Sequence, residues 1–146
     1  MEMRSRIDIQ IASRFPNIPS VRMFRKWLLA ALPLPAELTL RVVNAAEGRN
    51  LNLAFRKRDY ATNVLTFVYH GPKAKLLMGD IVLCVPVINR EAREQGKEYD
   101  AHYAHMTVHG ALHLAGLDHE AAAEAKGMEV REIAILSKLG YANPYE

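Results

Sequence analysis

The sequence predicts a small α/β domain in which one four-stranded mixed sheet packs with about five helices. Three observations predict it. The chain has 146 residues, a length that fits one domain with a sizeable core, so residues 1–146 read as a single unit. Half of the residues are hydrophobic and 24% are charged, the balance of an ordinary globular protein. Stretches that alternate with a period of two are interleaved with stretches of helical spacing, in the order β-α-β-α-β-β-α-α-α.

Each element has its own signal. In Arg6–Ala12, Ile7, Ile9 and Ile11 alternate with Asp8 and Gln10, the pattern of a half-buried strand. Ser20 follows Pro19 as an N-cap; Val21, Phe24, Trp27, Leu28 and Ala31 then recur at helical spacing until Pro33. Residues 37–44 alternate again, with Leu38, Leu40 and Val42 on one face. Asn44 and Glu47 have the spacing of a capping box and open a short helix toward Phe55, which Gly48 weakens. Residues 62–69 are rich in β-branched and aromatic side chains and end at Gly71-Pro72; residues 79–85 form a further strand, and an antiparallel pairing of the two is compatible with their spacing. Pro86 opens a helix that Gly96 ends, Asp100 caps another running to about Ala115, and residues 120–139 make the last, closed by Gly140. The strand order is not legible at this level.

Composition narrows the functional classes. No apolar run approaches the ~18 residues of a membrane span, and the first residues carry Arg4 and Arg6 with no apolar stretch of signal type. Cys84 is the single cysteine, so there is no internal disulfide, a cysteine-based zinc site is excluded, and the expected location is the cytoplasm. The formal net charge is +3, but residues 1–60 hold 11 Lys/Arg against 5 Asp/Glu, and residues 61–146 hold 8 against 11. A basic first half suits an anionic partner such as a nucleic acid.

The chemistry is concentrated in residues 109–119, HGALHLAGLDH. Residues four apart on a helix lie on one face, about 6 Å apart along the axis, so the imidazoles of His109 and His113 can meet one ion at about 2.0–2.1 Å. On a continued helix His119 would stand about 15 Å beyond His109 and out of reach. Gly116 resolves this, because glycine enters the left-handed region, ends the helix and lets the chain turn back. His109, His113 and His119 therefore form the expected ligand set for one ion, zinc or another metal that favours imidazole. Three nitrogen ligands leave a coordination position open, as in catalytic sites. His105 extends the row, but the ends of His105–His113 are about 12 Å apart, so His105 is at most a neighbour of the site. Asp118 has the chemistry to orient a ligand, Asn63 to fix a loop or touch a nucleic acid, and Asp80 to assist the site or mark a strand edge. His70 lies in a loop.

The spacing HxxxHxxGxxH is similar to that of the metzincin peptidases, which carry a glutamate after the first histidine as general base. Here that position is Gly110, so the metal geometry is kept and the peptidase chemistry loses its proton acceptor. A more specific resemblance covers most of the chain. LNLAFR at residues 51–56, Asp59, TNVLTF at 62–67, GDI at 79–81, Glu91-Ala92 and the histidine run, with Met128 and Glu132 beyond, resemble the YbeY family. That family comprises metal-dependent endoribonucleases specific for single strands, acting in ribosomal RNA maturation and ribosome quality control.

The resemblance implies that His109, His113 and His119 hold one Zn2+ per chain and that Arg56 is the functional basic residue. Arg56 also belongs to a compact basic knot with Lys57 and Arg58, and a guanidinium can hold a phosphate through two parallel hydrogen bonds. The expected activity is a zinc-dependent hydrolase cutting single-stranded RNA, with ribosomal RNA precursors as substrate, the ribosome or small-subunit assembly components as partners and no membrane. Two other readings stand beside it: a metallopeptidase with a non-standard general base, and a non-catalytic ribosome assembly factor in which zinc only stabilises the fold.

Overall fold

The structure is a computed structural model that describes residues 4–117 and 121–146. Its elements are β1 Arg6–Ala12, α1 Val21–Ala31, β2 Ala36–Val43, α2 Ala45–Arg56, β3 Val64–Val68, β4 Leu77–Cys84, α3 Val85–Gln95, α4 Tyr99–Leu114 and α5 Ala122–Lys138. The order of strands and helices along the chain is the one the periodicities predict, and the sheet is mixed. It runs β1-β2-β4-β3. β1, β2 and β4 run parallel to one another, and β3 pairs antiparallel with β4 from Val64 opposite Leu83 to Val68 opposite Gly79. Parallel neighbours need a crossover, which α1 supplies between β1 and β2. β4 then enters between β2 and β3, so the antiparallel β3 is left at one edge.

The alternation of β2 and β4 puts Leu38, Leu40 and Val42 with Leu77, Ile81 and Leu83 into the main core. There they meet Phe24, Trp27 and Leu28 of α1, Tyr103, Val108 and Leu112 of α4, and Met128 and Leu136 of α5. Each large apolar side chain fully buried in this way contributes roughly 1.5–3 kcal/mol. On the opposite face Val43, Leu65 and Val82 form a smaller cluster under Leu51 of α2. α4 is buried over most of its circumference, as a helix that is apolar nearly all round must be. Position and direction of its histidines are therefore set by packing on several sides.

Local readings fare unevenly. Ser20 caps α1 by accepting from the Met23 amide at 3.2 Å. Val21, counted on the apolar face of α1, is 40% exposed. No capping box forms at α2: Asn44 makes no side-chain cap bond, its Oδ1 accepts from Ser13 instead, and Glu47 is bound by the Arg41 guanidinium. α4 starts two residues earlier than an Asp100 cap requires, so Asp100 lies inside its first turn. β4 starts at Leu77 and ends at Cys84, with Val85 already in α3. Among the described residues no helix is long and apolar enough to cross a membrane.

Candidate active site

His109 and His113 lie one turn apart on α4, on the flank that looks past β3. Gly110 lies on another flank, pressed against the sheet. A Cβ there would stand 2.8 Å from Ile81 Cγ2 and 3.3 Å from Val64 Cγ2. The position that carries the peptidase glutamate in the metzincins therefore takes a side chain only if Ile81 is displaced. Past His113 the helix ends as the glycine predicts: Gly116 has φ +102°, and its amide and that of Leu117 bond back to His113 and Leu112. His119 and Asp118 lie outside the described residues.

The two imidazoles line a polar cleft of about 260 Å³ together with Asn52, Arg56, Arg58, Tyr60, Asn63 and Thr66. Two larger hollows, of about 520 and 440 Å³, lie along the sheet around Thr39, Tyr69 and Asp80 and contain no histidine. The chemistry thus sits in the smaller cleft. Arg56 is the last residue of α2, and its Nη2 donates to the Thr66 carbonyl at 3.2 Å, which braces the guanidinium against β3. Lys57 then turns the chain in a left-handed conformation, φ 59°. Asn52, nearly fully buried, donates to the Tyr60 carbonyl at 2.8 Å and ties the following loop to α2. Asn63 fixes the entrance of β3: its Oδ1 accepts from the Val64 amide at 2.7 Å, and its Nδ2 donates to both Glu91 oxygens at 3.2 Å.

Two carboxylates stand behind these residues. Glu91 meets His102 Nε2 at 3.0 Å; burial alone would raise its pKa, but hydrogen bonds from His102 and Asn63 outweigh burial and hold it below the usual carboxylate range. Glu132, on α5, has a side chain only 1% exposed. Its Oε2 is 3.0 Å from both His105 Nε2 and His109 Nδ1, and its Oε1 accepts from the Tyr145 hydroxyl. Burial pushes this carboxyl up, and the donors from His105, His109 and Tyr145 more than reverse that, to about 2. Among the described residues Glu132 has no Lys or Arg partner.

The family is settled by comparison. The model of the family described as Endoribonuclease YbeY matches residues 16–140. The chain belongs to the YbeY family. Curated relatives named Endoribonuclease YbeY include those of Azoarcus sp. (strain BH72), 58% identical over 95% of this chain, and of Aromatoleum aromaticum, 58% identical over 87%. That of Thiobacillus denitrificans is 52% identical over 96%. The chain spans 64% of the length of the Azoarcus protein, 81% of the Aromatoleum one and 95% of the Thiobacillus one. In fold it is similar to the solution structure of TM1509 from Thermotoga maritima, with a TM-score of 0.59 and 20% identity, covering 97% of this chain and 99% of that one.

Within this YbeY-family fold, Arg56, His109 and His113 come together at one cleft although more than 50 residues separate Arg56 from His109 in the sequence. Two imidazoles one turn apart, one of them bonded through Nδ1 to an ionised carboxylate, are a donor set that fits a zinc ion. Among the described residues no group of three or more His, Cys, Asp or Glu side chains is placed to hold a metal ion; of the expected ligand set His109 and His113 are described, and His119 lies outside them. His105 is a neighbour of the site, one carboxylate away from His109. Asp80 is elsewhere, accepting from the Tyr69 hydroxyl at 2.8 Å, and His70 accepts from the Met78 amide at 2.9 Å to close its loop. Met128 is core. The residues whose function the motif did not reveal are Glu91, Glu132 and Tyr145. Each acts through a partner at least 11 residues away, so no local spacing marks them.

Proposed function

We propose that this chain is a zinc-dependent endoribonuclease specific for single-stranded RNA, acting in the cytoplasm on ribosomal RNA precursors during maturation and quality control of the ribosome. What carries the reading is one observation: in a chain of the YbeY family, the Arg56 guanidinium shares a cleft with His109 and His113. His109, His113 and His119 are the residues that would hold the ion. Zinc bound there would polarise a phosphate oxygen and lower the pKa of a water ligand.

The chain's own groups supply the rest. Arg56, always charged, binds the scissile phosphate through its fork of N–H donors. Its bond to Thr66 fixes that fork before substrate arrives, so charge building on phosphorus meets a donor already in place. Arg58 adds a second positive charge on the same wall. A basic cleft of this kind tracks a backbone without reading bases, which fits single strands of varied sequence. Gly110, packed against Ile81, argues against the peptidase alternative.

The test is cleavage of a single-stranded RNA and of a duplex of the same sequence, with and without a chelator. The single strand is cut, chelator abolishes cutting, and Arg56→Ala lowers kcat/KM by about 100-fold with the fold intact by circular dichroism. Equal cleavage with and without chelator would overturn the zinc reading.

A further inference from the structure

We propose that Glu132 is the positioning residue for His109, and that His105 and Tyr145 clamp Glu132 in place for that task. The inference deepens the zinc reading and rests on His109 being a ligand.

One carboxylate oxygen, Oε2, stands 3.0 Å from His105 Nε2 and 3.0 Å from His109 Nδ1, while the other takes the Tyr145 hydroxyl. A carboxylate so placed accepts, so the proton of a neutral His109 ring resides on Nδ1 and the lone pair on Nε2. Nε2 is then the nitrogen that serves a metal, and the ring plane is set by a group on a different helix. Three donors on Glu132 leave it little freedom to turn, so the orientation passes from α5 and the segment beyond it to α4.

A purely structural tie between α4 and α5 does not require this arrangement. Burying an anion costs several kcal/mol, and apolar side chains of similar size would join two helices at no such cost. The site nonetheless keeps a carboxylate that is 1% exposed and has no Lys or Arg partner among the described residues. Its three hydrogen bonds aim one oxygen at His109 Nδ1, and a carboxylate–imidazole pair of this kind raises the basicity of a ligand nitrogen as well as aiming it.

The experiment uses the full chain stripped of metal, in two measurements. Nitrogen-15 spectra of the metal-free protein give the His109 tautomer: the proton is expected on Nδ1, and Glu132→Gln or Tyr145→Phe weakens that preference. Zinc affinity is read by competition with a chromophoric chelator. Glu132→Gln is expected to bind about 10–100-fold more weakly, and Tyr145→Phe more weakly than the parent but by a smaller factor. A proton on Nε2 in the parent, or parental zinc affinity in Glu132→Gln, overturns the proposal. Should Glu132→Gln fail to fold, Tyr145→Phe decides: unchanged tautomer and unchanged affinity overturn it. A parent that binds no zinc yet shows the Nδ1 tautomer, weakened in the variants, sinks the zinc reading while the orienting contact stands.

Discussion

Gly110 governs how closely α4 lies on the sheet, and the contact is between the helix backbone and the short branch of Ile81. Two effects compete in Gly110→Ala. Alanine gains about 0.8–1.0 kcal/mol in helix propensity. Against that, a methyl placed 2.8 Å from Ile81 Cγ2 forces a shift, and overpacking of this kind costs about 1–3 kcal/mol. The net expectation is a loss of stability, read as a lower urea midpoint at unchanged slope. Gly110→Glu should lose far more and gain no peptidase activity. A higher midpoint for Gly110→Ala would mean that α4 can move off the sheet freely. At this scale the sequence was informative where the chemistry is local. His109, His113 and the bend at Gly116 follow from spacing alone. Glu132 does not, because its two imidazole partners are 27 and 23 residues away and nothing near it in the chain differs from an exposed helical glutamate.

Between α2 and β3 the chain turns on Lys57, whose left-handed backbone, φ 59° and ψ 28°, carries a Cβ that such a conformation tolerates poorly. Lys57→Gly relieves roughly 1–2 kcal/mol of strain and returns about 0.4–1 kcal/mol of it through the freer unfolded chain. A gain of about 0.5–1 kcal/mol in unfolding free energy is expected, measured by denaturant titration. A loss would show that the Lys57 side chain contributes more than its backbone costs. Element ends illustrate why caps are the least legible part of a sequence. Ser20 caps α1 through a bond that spans only three residues, its hydroxyl accepting from the Met23 amide. The Asn44 and Glu47 pair has the right spacing, yet Ser13 and Arg41, near in space and distant or on the neighbouring strand, take both side chains away. Periodicity survives such competition because many residues vote together; a cap depends on one or two.

For the molecule as a whole, strand order was the feature the chain concealed. Alternation tells which residues of β2 and β4 face the core, and says nothing about β4 entering between β2 and β3. That insertion is what carries β3 and its entrance residue Asn63 beside α4 and next to the cleft. Glu91 joins the three parts: it lies on α3, accepts from Asn63 at the entrance of β3 and meets His102 on α4. Arg90 adds a favourable positive charge nearby. Because its folded pKa lies below the ordinary value of 4.5, the unfolded chain takes up the proton more readily. The stability it contributes is thus fully present above that ordinary value and is lost as pH falls through the folded one. Melting temperature should therefore drop on the acid side of about pH 4.5, and Glu91→Gln should flatten part of that slope, leaving the remainder to groups such as Glu132. The same variant loosens Asn63 and with it the wall opposite His109, so RNA cleavage at pH 7 should fall while zinc affinity holds. A slope identical to that of the parent, with cleavage also unchanged, would show that the Glu91 cluster neither stabilises the fold nor shapes the cleft.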